Sequence, residues 1–284
     1  MHGIRAPRRG RHWLAWVAGG CLLMVGLAVL ACALVIGALA GLAIHFANFR
    51  EAQTTMTRTL AVAGTPRIVV DGQAGDVTVI AGPAGKVTVE ATRRARAESA
   101  EIASHAAQNI RVDIQQSGTT VTVRARGGGD TGVGRSSAVD LTITAPAHAT
   151  LDLHADTGDV SVSDVAGMVS ITMGAGDARL AGVTLAGASS VDVGTGNVML
   201  GGRLATGAAL HVSVDTGEVD VTLPLVAAVT IDAATALGEV RVPSWPVPVA
   251  RERAGASARG QTAATPNSTM TIRVDTGDIS ISAG

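Results

Sequence analysis

Aromatic residues are almost missing from this 284-residue chain. It has no Tyr, and both Phe residues, Phe46 and Phe49, lie in or beside an N-terminal apolar run. Past residue 50 the only aromatic is Trp245. A globular core normally draws much of its buried area from large rings. Their scarcity excludes such a core and favours a thin assembly filled by Val, Leu, Ile and Ala. It also removes the stacking surfaces that single-stranded nucleic acids and sugars use. Beyond residue 49 there are 23 acidic and 18 basic residues, so that part carries a net charge of −5 and lacks the basic stripe of a nucleic-acid binder. The formal charge of −1 for the whole chain hides this, because an Arg-rich N-terminus offsets it.

Cysteine is equally scarce. Cys21 and Cys32 both fall inside the apolar run. Everything beyond residue 49 must therefore fold without a disulfide, although an exported domain has access to them.

Charge is absent from Trp13 to Phe46, which contain no Asp, Glu, Lys or Arg. The run exceeds the ~20 residues that cross a bilayer, which predicts a single N-terminal transmembrane helix over 13–46, tilted or extended. Arg5, Arg8, Arg9 and Arg11 precede it. By the positive-inside rule residues 1–12 form a cytoplasmic basic tail and the rest lies outside the cytoplasmic membrane. Two processing routes compete with a retained anchor. Ala38-Leu39-Ala40 resembles a cleavage site, although the apolar stretch is long for a signal peptide. Val29-Leu30-Ala31-Cys32 loosely resembles a lipoprotein box, although apolar residues continue well past Cys32. Gly37-x-x-x-Gly41 has the spacing that packs two spans together, a spacing chance supplies readily in a Gly/Ala-rich run.

What is present is a repeat. Asp156-Thr157-Gly158-Asp159-Val160, Asp215-Thr216-Gly217-Glu218-Val219 and Asp275-Thr276-Gly277-Asp278-Ile279 are full copies. Gly174-Ala175-Gly176-Asp177, Gly194-Thr195-Gly196-Asn197, Ala236-Leu237-Gly238-Glu239 and the early Ala74-Gly75-Asp76-Val77 are degenerate ones. From Gly158 onward the marker glycines are spaced by 18, 20, 21, 21 and 39 residues, the last step being two periods. A fixed period near 20 signals an array whose units bury their apolar faces against their neighbours.

Each glycine is flanked by runs such as Val169-Ser170-Ile171-Thr172-Met173 and Val219-Asp220-Val221-Thr222-Leu223. Their alternation is that of a strand with one buried face. Glycine supplies a turn with φ > 0, and Asp or Asn folds back onto the local backbone. Second turns recur at Asp164-Val165-Ala166-Gly167, Leu185-Ala186-Gly187 and Ala205-Thr206-Gly207. Two strands and two turns in about 20 residues predict an all-β fold, a parallel β-helix-like solenoid of ~20 residues per coil. A meander of antiparallel hairpins is the competing geometry.

The repeat domain is expected over 56–284, after a linker at 47–55. Glu98 to Ala107 predicts one short helix, with Ile102, Ala106 and Ile110 on the face that caps the start of the array. Gly127 to Ser137 reads as a flexible Gly-rich loop, and Ser244 to Ser268 as an excursion that doubles one step. The motif from Thr271 to Ile281 is expected to close the array.

These motifs resemble the bacterial putative adhesin family, a membrane-anchored β-strand-repeat domain of unknown molecular function. The resemblance rests on Gly75-Asp76-Val77-Thr78-Val79, Asp156 through Val162 and Asp275 through Ile281, and on the early helix. It covers roughly residues 54–284. It implies an envelope-facing β-repeat domain on one span, without catalytic residues.

Catalytic and metal chemistry find little support. Asp-Thr-Gly is also the aspartic-protease signature, but three copies in register with three that replace the Asp describe a turn. The residue after the marker glycine is acidic at Asp76, Asp159, Asp177, Glu218, Glu239 and Asp278, with Asn197 the exception. Coils stacked ~4.8 Å apart would align these in a column, which turn chemistry explains and a structural Ca²⁺ would also suit. His154 and His211 lack a second His or Cys at ligand spacing. No Ser/His/Asp order, phosphate-cradling loop or HExxH is present. Asn267-Ser268-Thr269 matches a glycosylation sequon by chance.

The expectation is a non-enzymatic, single-pass envelope protein with no catalytic, cofactor-binding or metal residues and no cofactor. Its contacts are the membrane through residues 13–46 and an envelope protein, glycan or second copy of itself, with no nucleic acid. The alternatives are an accessory regulator or sensor of envelope stress and, more remotely, a polysaccharide-active enzyme.

Overall fold

A computed structural model describes residues 50–126, 136–251 and 253–284. The basic tail, the expected span at 13–46 and the Gly127–Arg135 part of the expected loop lie outside the described residues. No helix among the described residues is long and apolar enough to cross a membrane.

Residues Arg50–Gly284 form one compact unit built from two sheets of 11 strands each. Each marker glycine joins a strand of one sheet to a strand of the other. The Gly158 coil pairs Thr150–Thr157 with Val160–Ser163, and the Gly176 coil pairs Val169–Ala175 with Ala178–Leu185. The Gly196 coil contains Ala188–Thr195 and Val198–Leu204, and the Gly217 coil Ala209–Thr216 and Val219–Leu223. All are stacked in parallel and in register, so Val191 sits between Ile171 and Val212, and Val198 between Ala178 and Val219. Alternation places these residues inside: Ile171, Val212, Val198 and Val219 are fully buried. Each such aliphatic side chain contributes ~1.5–3 kcal/mol of burial, which a thin array must collect many times over. The parallel solenoid is observed, and hairpins are confined to the ends.

Rung order departs from chain order at both ends. The Gly75 coil, Arg67–Ala74 and Val77–Gly82, lies between the Gly158 coil and a coil made of Thr120–Arg126 and Ser136–Pro146. At the other end the Gly277 coil, Ser268–Thr276 and Ile279–Ala283, sits between the Gly217 and Gly238 coils. The expected closing role of Thr271 to Ile281 is thus corrected. The last coil is internal, because Ser244 to Ser268 is not a loop. It carries the strand Ala256–Gln261, which pairs antiparallel with the Gly238 coil, and the strand Val249–Arg251, which pairs antiparallel with Ala256–Gln261 in turn.

The N-terminal end is closed by antiparallel strands too. Arg50–Ala61 pairs with Lys86–Ala97, and Arg111–Ser117 pairs with Thr120–Arg126. Strand structure therefore begins at Arg50, inside the stretch expected as a linker, because every residue to Ala61 finds a partner between Lys86 and Ala97. The helix Ala100–Asn109 is capped by Ser99, whose side chain accepts from the Ile102 N–H. It packs through Ala103 and Ala107, while Ile102 is exposed, which corrects the expected face. Small residues suit this face because the helix packs on the strands Arg50–Ala61 and Lys86–Ala97, the latter ending in the buried Ala95 and Ala97. Only Ile110, just past its end, is buried as expected.

Candidate binding surface

One long edge of the stack is formed by the marker glycines. Each but Gly238 donates its N–H to the carbonyl that precedes the glycine of the next coil, as in Gly176 to Thr195 O at 2.9 Å and Gly196 to Thr216 O at 2.9 Å, while Gly238 donates to Ala254 O at 3.0 Å. Gly196 has φ 143°, and a Cβ there would run into the Gly176 carbonyl. No other residue type fits this turn at this rung spacing.

The acidic column expected beside the glycines is present, and its Asp and Asn oxygens accept backbone N–H groups of the next rung. Asp159 N–H donates to Asp76 Oδ1 at 3.0 Å, Asp177 N–H to Asp159 Oδ1 at 2.9 Å and Asn197 N–H to Asp177 Oδ1 at 2.8 Å. Glu218 N–H donates to Asn197 Oδ1 at 2.9 Å, and Glu239 N–H to Asp278 Oδ1 at 2.9 Å. Asn197, the sequence exception, serves as well as Asp, so acceptor geometry rather than charge is what the position selects. The ladder breaks at Glu218, a longer side chain than Asp or Asn, and no described side chain accepts from Asp278 N–H. The column also begins one rung earlier than the motif reveals, with Asp140 Oδ1 accepting from Asp76 N–H at 3.2 Å. No glycine precedes Asp140, so the repeat gave no signal for it; Arg94 Nη2 meets the same oxygen at 2.7 Å.

The remaining singled-out residues stay apart. His154 Nε2 lies 3.2 Å from Asp156 Oδ1, and His211 stands three rungs further along the same sheet. Among the described residues no three His, Cys, Asp or Glu are grouped to hold a metal. The Asp232 carboxyl is held below its ordinary range. The Arg273 hydrogen bond at 2.9 Å lowers it most, burial works against this, and Arg259 at 3.0 Å lowers it further. Trp245 is buried in the C-terminal cap, donating to Leu225 O at 3.3 Å.

The outer face of the first sheet carries a depression that sequence reading missed. A bulge between Ala181 and Val183 bends the strand, and Gly201-Gly202 beside it bring no side chains. The resulting groove is shallow and open to solvent, about 470 Å³ over Ala181, Gly201, Thr222, Leu223 and Pro224, with Arg203 on its border. It continues into a second depression of about 360 Å³ bordered by Arg179, Met199 and Asp220. The lining is mostly apolar with a few polar groups. A doubled glycine in a strand was the available signal.

The family model for Toastrack DUF4097 matches residues 65–198 and again residues 135–282. Among solved structures, the chain is similar to a putative cell adhesion protein from Clostridium sporogenes, at 12% identity and a TM-score of 0.45, covering 81% of this chain and 100% of the other. A putative adhesin from Bacteroides fragilis aligns at 10% identity and a TM-score of 0.30, covering 81% and 97%. One from Parabacteroides distasonis aligns at 12% identity and a TM-score of 0.22, with the same coverage of 81% and 97%. No curated protein matches the sequence.

Proposed function

Because the chain belongs to the Toastrack DUF4097 family, we propose that it is a non-enzymatic, membrane-anchored protein of the cell envelope, presenting a rigid β-stack for adhesion or structural contact. The observation that carries this reading is the use made of the motif carboxylates. Asp76, Asp159 and Asp177 accept backbone N–H groups of the next rung, so their role is architectural. A stack whose repeated polar groups serve its own backbone is a presenting surface rather than a reaction site. The anchor rests on Arg5 to Arg11 followed by the uncharged run at 13–46, which orients residues 50–284 outward.

Crosslinking the full-length protein in its native envelope, followed by mass spectrometry, tests the role. Cell-wall or surface components are the expected partners. A membrane signalling protein as the dominant partner would replace adhesion by an accessory regulatory role. Turnover on a panel of envelope glycans would overturn the non-enzymatic reading.

A further inference from the structure

We propose that the groove on the first sheet binds a long-chain fatty carboxylate, with the acyl chain over Gly201 and the carboxylate on Arg203. This inference does not depend on the adhesive role.

The floor comes first. Two of the three glycines at the bulge are demanded by the backbone. Gly182 has φ 65°, and a Cβ there would meet the Asp164 carboxylate; a Cβ on Gly202 would meet the Val183 carbonyl. Gly201 is different. A Cβ there would find only Leu180 O at 3.8 Å, an ordinary contact. The neighbouring rungs carry Ala181 and Thr222 at the same register. Glycine inside a strand gives up packing and costs chain entropy, and it marks a bulge or a place where something approaches closely. No backbone approaches Gly201 from outside, so its missing side chain keeps the floor open.

The nature of the occupant follows from what the floor offers. The three strands beneath it, Ala178–Leu185, Val198–Leu204 and Val219–Leu223, are paired with one another in a parallel ladder. A peptide laid across them would bury amides without partners, at ~1–3 kcal/mol for each. A sugar would want an aromatic platform, and Trp245 borders neither depression. An acyl chain has no polar group to satisfy. Its path out is apolar as well: Pro224 lines the groove, and Leu225 and Val226, which follow it, are 64% and 89% exposed.

Charge supplies the head group. Arg179 and Arg203 are the only basic residues between positions 136 and 240, a stretch that holds most of the column acids. Both border this groove. Neither forms an ion pair among the described residues: Arg203 Nε donates to Thr184 Oγ1 at 3.0 Å, and Arg179 Nη2 rests on Met199 Sδ at 3.2 Å. Asp220 borders the Arg179 arm and repels an anion there, which directs the carboxylate to Arg203.

Photo-crosslinking of the full-length protein in bilayer vesicles tests this, using a clickable palmitate analogue with a diazirine in its chain. Label is expected on Ala178–Leu185, Val198–Leu204 and Pro224–Val226, displaced by excess palmitate and not by hexadecanol. Gly201→Leu should cut that label by about tenfold with an unchanged thermal midpoint. Arg203→Gln, at an exposed position that leaves folding intact, should cut it by about fivefold, with Arg203→Lys retaining more. Label confined to 13–46, undiminished label in a folded Gly201→Leu variant, or equal competition by hexadecanol would each overturn the proposal.

Discussion

The middle coils and the two ends of this stack are held together by different means. The Gly176, Gly196 and Gly217 coils use parallel ladders, aliphatic rows and the Asp/Asn acceptors, and none of them contains an Arg–carboxylate ion pair among the described residues. The ends are antiparallel and depend on long side chains. At one end Arg58 donates to Ile114 O at 2.7 Å, and Arg94 pairs with Asp140. At the other, Arg259 of the covering strand Ala256–Gln261 meets the Asp232 carboxylate at 3.0 Å, and Arg273 of the adjoining internal Gly277 coil donates to Asp232 O at 2.8 Å and pairs with the same carboxylate. A repeating rung is complementary to the next rung by construction. A terminal rung lacks a repeat unit on its outer side, and arginine is long enough to tie it to the adjoining strands.

If the middle rests on rung-to-rung identity, a side chain at a marker glycine should do the most damage. Gly196→Val is expected to cost about 3 kcal/mol or more through the forced φ and the clash with the Gly176 carbonyl. Urea unfolding measures it; a loss within ~0.5 kcal/mol would mean the rungs tolerate slippage. Where the internal Gly277 coil meets the last coil, Arg273→Ala should cost about 1.5 kcal/mol, since it leaves Asp232 O and Asp232 Oδ2 without this donor. Next in size, Asp177→Ala should lose about 1 kcal/mol and Asp177→Asn almost nothing, because Asn197 already fills the same role. Equal losses in both variants would make charge, not acceptor geometry, the selected property.

The acid limb of stability discriminates more finely. The carboxyl of Asp232 is lowered below 3.8 in the folded state, so its contribution is fully present above that value. It is lost as pH falls through the lowered folded value. Because this carboxylate is partly exposed, the effect is under ~1 kcal/mol. Asp232→Asn should remove that portion of the acid-induced loss, seen as a flatter fall in thermal midpoint below pH 4. The smallest expected effect is a gain: Glu218→Asp should complete the ladder to Asp278 N–H and add about 0.5 kcal/mol.

Much of the middle was legible in the sequence. Alternation and marker glycines are local signals, and register follows from them, because a one-residue slip would turn Val191 and Val212 outward. Rung order was not legible. The Gly217 coil presents the same pattern to the Gly238 and Gly277 coils, so the repeat that reveals the coils conceals their sequence in space. The helix face was missed because two alanines outcompeted an isoleucine for close approach to the strands Arg50–Ala61 and Lys86–Ala97. Arg94, Arg273 and Asp140 carried no motif, their partners being distant in the chain. Gly201 passed unnoticed next to Gly202, since one letter stands for both a required and an optional absence of side chain.

The Gly277 coil, seated between two coils that precede it in the chain, gives the molecule a mechanical character. A pull on that segment cannot peel it from an end. It must shear the Gly217 and Gly238 ladders together, so the applied load is shared by two rows of bonds rather than opening one after another. A last coil held on both sides in this way gives up two ladders at once where a terminal coil would give up one.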